Sequence, residues 1–223
     1  MPYRPKGFFR RARLDFSLSL TIDRAIYDDW LKRNKKLRTK KHFKGLYWED
    51  HMRLWIVDSV DVEDMFNEFT DELLKLFFDR IEDEELITQA DRVNYLMSFV
   101  HQFPYSLDQE SIGISEYARF PIETLYDKTG DCECLAILLA ALIHRMDIAP
   151  VSIIKIVQSH IVGPDTSHAG VGVINNKDNS IRGTYIKYHG KRYYFCEAAD
   201  IKAKAGELSK IFKKGTFFIY PIE

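Results

Sequence analysis

The absences in this sequence narrow its class before any motif does. It has three cysteines, an odd number, so a disulfide framework is not expected and a reduced, cytoplasmic protein is. No apolar run approaches the roughly 20 residues that a membrane span needs. The longest, Cys134 to Ile143, is expected inside a helix. The opening MPYRPKGFFRRARLD is basic but has no apolar core and no small-residue cleavage site, so it does not read as a signal peptide. Internal repeats and low-complexity linkers are missing too. With 11 Gly and 7 Pro, collagen is excluded, and the composition also excludes disorder and coiled coil. An excess of one charge is lacking as well: 32 Lys and Arg face 33 Asp and Glu, for a net charge of -1. What remains is 46% hydrophobic and 13% aromatic, enough for a sizeable core in 223 residues. That length suits one large domain, or a compact domain with a smaller attachment.

The neutrality is a sum of unlike parts. Residues 1–45 carry 14 Lys or Arg against 4 Asp or Glu. Residues 46–131 carry 6 against 21, and residues 132–223 carry 12 against 8. The densest basic stretch is Lys32 to Lys44. Such a run can bind nucleic acid or an anionic surface. No nucleic-acid motif accompanies it, and it reads more simply as a solvated helix end and loop that complements the acidic middle.

Local patterns set the fold class. Residues 14–22 alternate apolar and polar, the period of a half-buried strand. Asp23 then suits the N-cap of a short helix through Tyr27 and Trp30. Residues 45–60 look irregular and aromatic. Helical spacing of apolar residues runs from Asp61 to about Ile81, and again from Glu84 to Val100. Residues 101–131 hold Pro104, Pro121 and Gly130 and read as a long ordered loop, a feature usually tied to function. Asp131 to Met146 is apolar almost all round, as a buried central helix would be. Beyond Pro150 five β-branched or aromatic runs follow: Val151–Val157, Ala169–Ile174, Thr184–Tyr188, Arg192–Cys196 and Thr216–Tyr220. His189-Gly190 suggests a hairpin between the third and fourth. Helices first and an antiparallel sheet afterwards predict an α+β fold.

Chemistry concentrates at Gly130-Asp131-Cys132, where the loop meets the central helix. A helix start exposes unpaired N–H groups and the positive end of the dipole, which lowers a thiol pKa toward the nucleophilic thiolate. Gly130 would let a substrate approach closely. A cysteine nucleophile needs a base and a group that orients it. His168 opens the run HAGVGVI, where small neighbours leave room for a ligand. Glu197 ends the run RYYFCE. If those strands are neighbours, the carboxylate can fix the imidazole tautomer.

Residues 99–146 resemble the core of the transglutaminase-like superfamily of cysteine enzymes, in its prokaryotic peptidase and amidase branch. The resemblance rests on Tyr105, Ser106 and Asp108, then Glu116-Tyr117, Pro121 to Leu125, and Gly130-Asp131-Cys132 opening a hydrophobic helix. HAGVGV and YYFCE match the strands that carry the family's His and acid. Similarity covers roughly residues 90–200, and fainter similarity reaches upstream through LSLTIDRAIYDDW. It implies a papain-like α+β core in which a buried nucleophile helix packs on an antiparallel sheet, with a Cys132–His168–Glu197 triad. Residues 61–223 would form the catalytic domain, and residues 1–60 a basic segment packed on it or extending it. Relatives often carry Gln after the Phe-Val pair, and a Gln amide is a natural oxyanion donor. Here His101 stands in that place and Gln102 follows, so these two are the oxyanion candidates. Cys134 replaces the usual acidic or polar residue, and Ala198-Ala199 replaces a common Thr-Thr.

The resulting expectation is a thiol enzyme that transfers acyl groups from protein or peptide amides, more simply to water than to an amine, with no cofactor and no metal. The alternative is a catalytically silent binding or scaffold module of the same fold, with a basic partner-binding N-terminus. Cys132, Cys134, His168 and Cys196 could also be read as soft zinc ligands. However, Cys132 and Cys134 would lie on different faces of a helix, and Cys196 would point away from Glu197. Cys134 and Cys196 are more simply buried thiols. His160 and His189 are alternative bases, but His189 suits a turn and His160 has no matching motif. The Tyr and Phe of 101–125 line a groove or pack the loop onto the core, and Glu123 anchors that loop.

Overall fold

The structure is a computed structural model that describes residues 21–39, 52, 54–58, 64–79, 87–114, 117–158 and 166–222. Residues 14–20 of the strand expected over 14–22 lie outside that set, and Thr21 and Ile22 are irregular. Among the described residues α-helices come first: α1 (Arg24–Thr39), α2 (Asp64–Phe78), α3 (Gln89–Val100), α4 (Asp108–Ser111), α5 (Pro121–Asp127) and α6 (Cys132–Arg145). A π-helical turn, Leu54–Asp58, lies between α1 and α2. Five strands follow: β1 (Val151–Gln158), β2 (Thr166–Ile174), β3 (Tyr185–Tyr188), β4 (Lys191–Cys196) and β5 (Thr216–Ile222). The fold is α+β, as the order of patterns predicts. No helix among the described residues is long and apolar enough to cross a membrane.

The sheet runs β3-β4-β2-β1-β5, and every described pairing is antiparallel. Val151 opposes Val173 in the β1–β2 ladder, and Val171 opposes Cys196 in the β2–β4 ladder. His189 and Gly190 close the β3–β4 hairpin with φ of 45° and 77°. Positive φ at both central residues is what a tight hairpin turn of matching twist requires. Period-2 alternation sorts side chains between two layers. Val151, Ile153, Ala169, Val171, Tyr194 and Cys196 join the main core. Ile154, Ile156, Tyr193 and Phe195 form a second cluster with Leu208 and Ile219.

Helix α6 is the axis of the main core, with every residue from Glu133 to Ile143 buried. Burying one Leu or Ile side chain fully contributes about 1.5–3 kcal/mol, so this one helix anchors the fold. Asp131 caps it: its Oδ1 accepts the Cys134 N–H at 3.0 Å. Helix α3 begins at Gln89 rather than Glu84. Thr88 and Asp91 form a capping box there, each accepting the other's backbone N–H.

Residues 101–131 are not all loop. Pro121 sits at the first position of α5, where its missing N–H costs nothing. Glu123, fully buried, holds this segment together. Its Oε1 accepts the Tyr117 hydroxyl at 2.6 Å, and its Oε2 accepts Asn34 Nδ2 and the Phe120 N–H, both at 2.7 Å. Burial dominates those favourable contacts and pushes the Glu123 carboxyl up to about 7. Asn34 and Trp55 both donate to the Ala118 carbonyl, at 2.9 and 3.1 Å. Tyr27 donates its hydroxyl to Asp127 at 2.8 Å. The described part of the N-terminal segment is thereby stitched onto the loop that leads to Cys132.

Candidate active site

Cys132 is the first residue of α6 and is partly buried. A short extended segment lies beside it. Tyr105 forms a parallel bridge with Gly130, Ser106 N–H donates to the Gly130 carbonyl at 3.0 Å, and Thr129 Oγ1 donates to the Pro104 carbonyl at 2.8 Å. Gly130 itself is buried, and a Cβ there would meet Cys134 Cβ at 2.7 Å. Packing inside the protein is therefore enough to require the glycine. The small residues after His168 are closely packed as well. A Cβ at Gly170 would meet the Phe195 ring and one at Gly172 would meet Ser152 Oγ, each at 2.4 Å.

A buried ion pair supports the helix start from below. Arg119 Nη1 donates to Asp108 Oδ1 at 2.9 Å, with both side chains almost fully buried. Asp108 Oδ2 accepts the Tyr117 N–H at 2.6 Å, and Arg119 Nη2 donates to Ser111 Oγ at 2.7 Å. Removing one partner of such a pair would strand a buried charge. Burial and the neighbouring Asp131 carboxylate push Asp108 up to about 6. Ligand atoms of Asp108, Asp131 and Cys134 lie within 4.8 Å of one another. The Arg119 guanidinium already takes the place of a cation there, 2.9 Å from Asp108 and 3.4 Å from Cys134 Sγ. The cluster does not include Cys132, His168 or Cys196, so it is not the zinc set considered from the sequence. Cys134 and Cys196 are fully buried thiols, as expected.

The sheet brings His168 and Glu197 together. His168 Nε2 and Glu197 Oε2 are 2.7 Å apart. A carboxylate only accepts, so Nε2 carries the hydrogen and Nδ1 is left for proton transfer. The Phe212 ring stacks on the imidazole, with centroids 4.2 Å apart and planes 5° apart. Glu197 Oε1 accepts the Ala199 N–H at 3.1 Å, which fixes the carboxylate. The backbone N–H of Ala169, the residue after His168, favours the thiolate form of the Cys132 sulfur. Among the described residues no hydrogen bond joins that sulfur to the imidazole. Burial, followed by the Asp131 charge, pushes the Cys132 thiol up to about 12. The helix-start position alone leads one to expect the opposite direction. Desolvation of the sulfur in this partly covered site outweighs it.

The two oxyanion candidates are engaged elsewhere. Gln102 is exposed and donates its amide to the Ser98 carbonyl at 2.9 Å. His101 Nε2 donates to the Glu197 backbone carbonyl at 2.9 Å, and burial holds its pKa below the ordinary value. His101 thus ties helix α3 to the end of the strand that bears Glu197. His189 lies in the hairpin turn with its ring against Tyr188, and His160 is outside the described residues. Among the aromatics of 101–125 the packing role is seen at two positions. Tyr117 and Phe120 are buried, whereas Phe103 lines a cavity of about 450 Å³ with Phe69, Phe99, Pro104 and Leu125.

Sequence reasoning missed Phe212 and Tyr105 as neighbours of the triad positions. Phe212 lies 44 residues beyond His168 in the chain, with no periodicity to betray it. The Tyr-Ser-x-Asp spacing pointed at Tyr105 but not at its contact with the helix start. No protein-family model matches this chain, and no curated protein matches it.

Proposed function

We propose that the protein is a thiol-dependent acyl-transfer enzyme of the transglutaminase-like superfamily, with a papain-like core and a hydrolytic reaction on protein or peptide amides. The observation that carries this reading is the oriented imidazole: His168 is held at 2.7 Å by Glu197 and stacked on Phe212. In this reaction the Cys132 S–H proton passes to His168 as the sulfur bonds to the amide carbon. The carbonyl π pair moves onto oxygen. Its return expels the amine, which takes the proton back from the imidazole. Water then adds to the thioester with His168 as base, and the released sulfur recovers a proton. Burial raises the Cys132 thiol above its ordinary pKa, which favours deprotonation together with attack. All three cysteines are free thiols, which suits a reducing compartment such as the cytoplasm.

The second reading, a silent scaffold with the same fold, draws support from the high thiol pKa and the missing sulfur–imidazole hydrogen bond. Limited iodoacetamide labelling with peptide mapping separates the two. The enzyme reading expects Cys132 to label well before Cys134 and Cys196 in the folded protein, and to lose that lead in a His168→Ala variant. Hydrolysis of an acyl p-nitroanilide should vanish in Cys132→Ala. Equal labelling of the three thiols, appearing only on unfolding, would favour the scaffold.

A further inference from the structure

The cavity of about 450 Å³ draws its walls from helices α2, α3 and α5 and from the segment after α3. Small-molecule pockets commonly enclose roughly 300–1,000 Å³. Its aromatic wall is continuous: the Phe99 ring packs on Phe69 with centroids 5.6 Å apart and on Phe103 at 5.4 Å. Gln102 and Lys128 are the polar residues of the described lining, and Lys128 is its one charge. Gln102 gives one amide hydrogen to the Ser98 carbonyl and keeps a second. Among the described residues no carboxylate pairs with the Lys128 ammonium. The adjacent Asp127 is engaged by the Tyr27 hydroxyl and by Arg119 Nε. Lys128 also has left-handed backbone, φ 55°, at the C-cap of α5, where glycine would meet no steric penalty. The lysine side chain stands there against the preference of the backbone. The Thr129 hydroxyl bond to the Pro104 carbonyl, at 2.8 Å, ties together the two segments that carry Lys128 and Pro104, so this part of the wall is fixed before any ligand arrives.

We propose that this cavity is a binding site for a small aromatic monocarboxylate, whose ring lies among the phenylalanines and whose carboxylate meets the Lys128 ammonium. Removing the apolar body from water drives entry, and the edges and faces of three phenyl rings favour a flat partner. The carboxylate follows from charge complementarity: the described lining offers a cation and amide donors but no acid. A ligand amine would meet Lys128 with like charge, and a neutral amide would forgo the ion pair. Neither Cys132 nor His168 lines the cavity, so the site stands apart from the acyl-transfer reading and does not depend on it.

Calorimetric titration of the full chain with hydrocinnamate and with its neutral amide, hydrocinnamamide, separates ring from charge. The acid should bind saturably and about fivefold more tightly than the amide, the advantage of one partly solvated ion pair. Lys128→Met keeps the apolar stem at an exposed position. It should weaken the acid to the level of the amide and leave the amide within about twofold of its wild-type affinity. Lys128→Arg should keep most of the acid's advantage. Phe103→Ala removes part of the wall from a half-buried position and should weaken acid and amide alike. Cys132→Ala should bind both as the wild type does, which keeps this test separate from that of the acyl-transfer reading. Equal affinity for acid and amide in the wild type, or a Lys128→Met protein that binds the acid as tightly as the wild type, would overturn the proposal. So would the lack of saturable binding of either compound up to about 10 mM.

Discussion

The imidazole of His168 and the carboxylate of Glu197 meet at 2.7 Å, although they come from strand β2 and from the end of strand β4, 29 residues apart. Each is held by a further contact: the ring by Phe212, and the carboxylate by the Ala199 N–H. Replacing Glu197 by Gln keeps the shape but lets the side chain present an N–H, which removes the preference for the tautomer with hydrogen on Nε2. We expect the rate of p-nitrophenolate release from p-nitrophenyl acetate to fall about 10²-fold or more in Glu197→Gln, with the thermal midpoint little changed. Stopped-flow absorbance measures the release. A folded variant within twofold of the wild type would show that the carboxylate does not orient the base.

Much of this arrangement was legible in the chain because each strong local signal agreed with its neighbours. The nearly all-apolar run from Asp131 to Met146 marked α6, and His189-Gly190 marked the hairpin. Helix α5 was hidden because seven residues are too few to show a 3.6-residue period, and because Pro121 read as a breaker when it stands at a first helical position. The true start of α3 was hidden because acidic residues before Thr88 favour helix on propensity, while the capping box at Thr88 and Asp91 decides the boundary. Long-range contacts such as His168 on Phe212 leave no local trace at all. Glycines misled for a different reason. Sequence alone cannot tell whether a missing Cβ makes room for a ligand or for a neighbour such as Cys134 or Phe195.

That ambiguity at Gly130 has a direct test. An added methyl would lie 2.7 Å from Cys134 Cβ, an atom fixed to the first turn of α6. Overpacking of this kind costs about 1–3 kcal/mol. Urea unfolding of Gly130→Ala should show that loss with an unchanged m-value. Cys134→Ala in the same chain keeps the offending Cβ and should give no relief, whereas Cys134→Gly should restore part of the stability. A Gly130→Ala protein as stable as the wild type would return the glycine to a role in substrate approach.

The buried carboxyls beneath the site make stability depend on pH in an unusual direction. Glu123 sits at about 7 in the folded protein against an ordinary 4.5, and Asp108 at about 6 against 3.8. The native state therefore binds more protons than the unfolded chain between these limits. By linkage, stability must fall as pH rises there. The favourable contribution is fully present below the unfolded-state values and is lost as pH rises through the folded-state values. Each unit of raised pKa is worth about 1.4 kcal/mol, so Glu123 alone accounts for a change on the order of a few kcal/mol. Urea unfolding at pH 5, 6, 7 and 8 should give a declining free energy in the wild type. Glu123→Gln removes the titrating group yet keeps one oxygen for the Asn34 and Phe120 donors, while the Tyr117 hydroxyl can turn to accept from the amide. Its profile should decline about half as steeply, because Asp108 still titrates. A wild-type stability that rises from pH 5 to pH 8 would mean that the hydrogen bonds to Glu123 outweigh its burial.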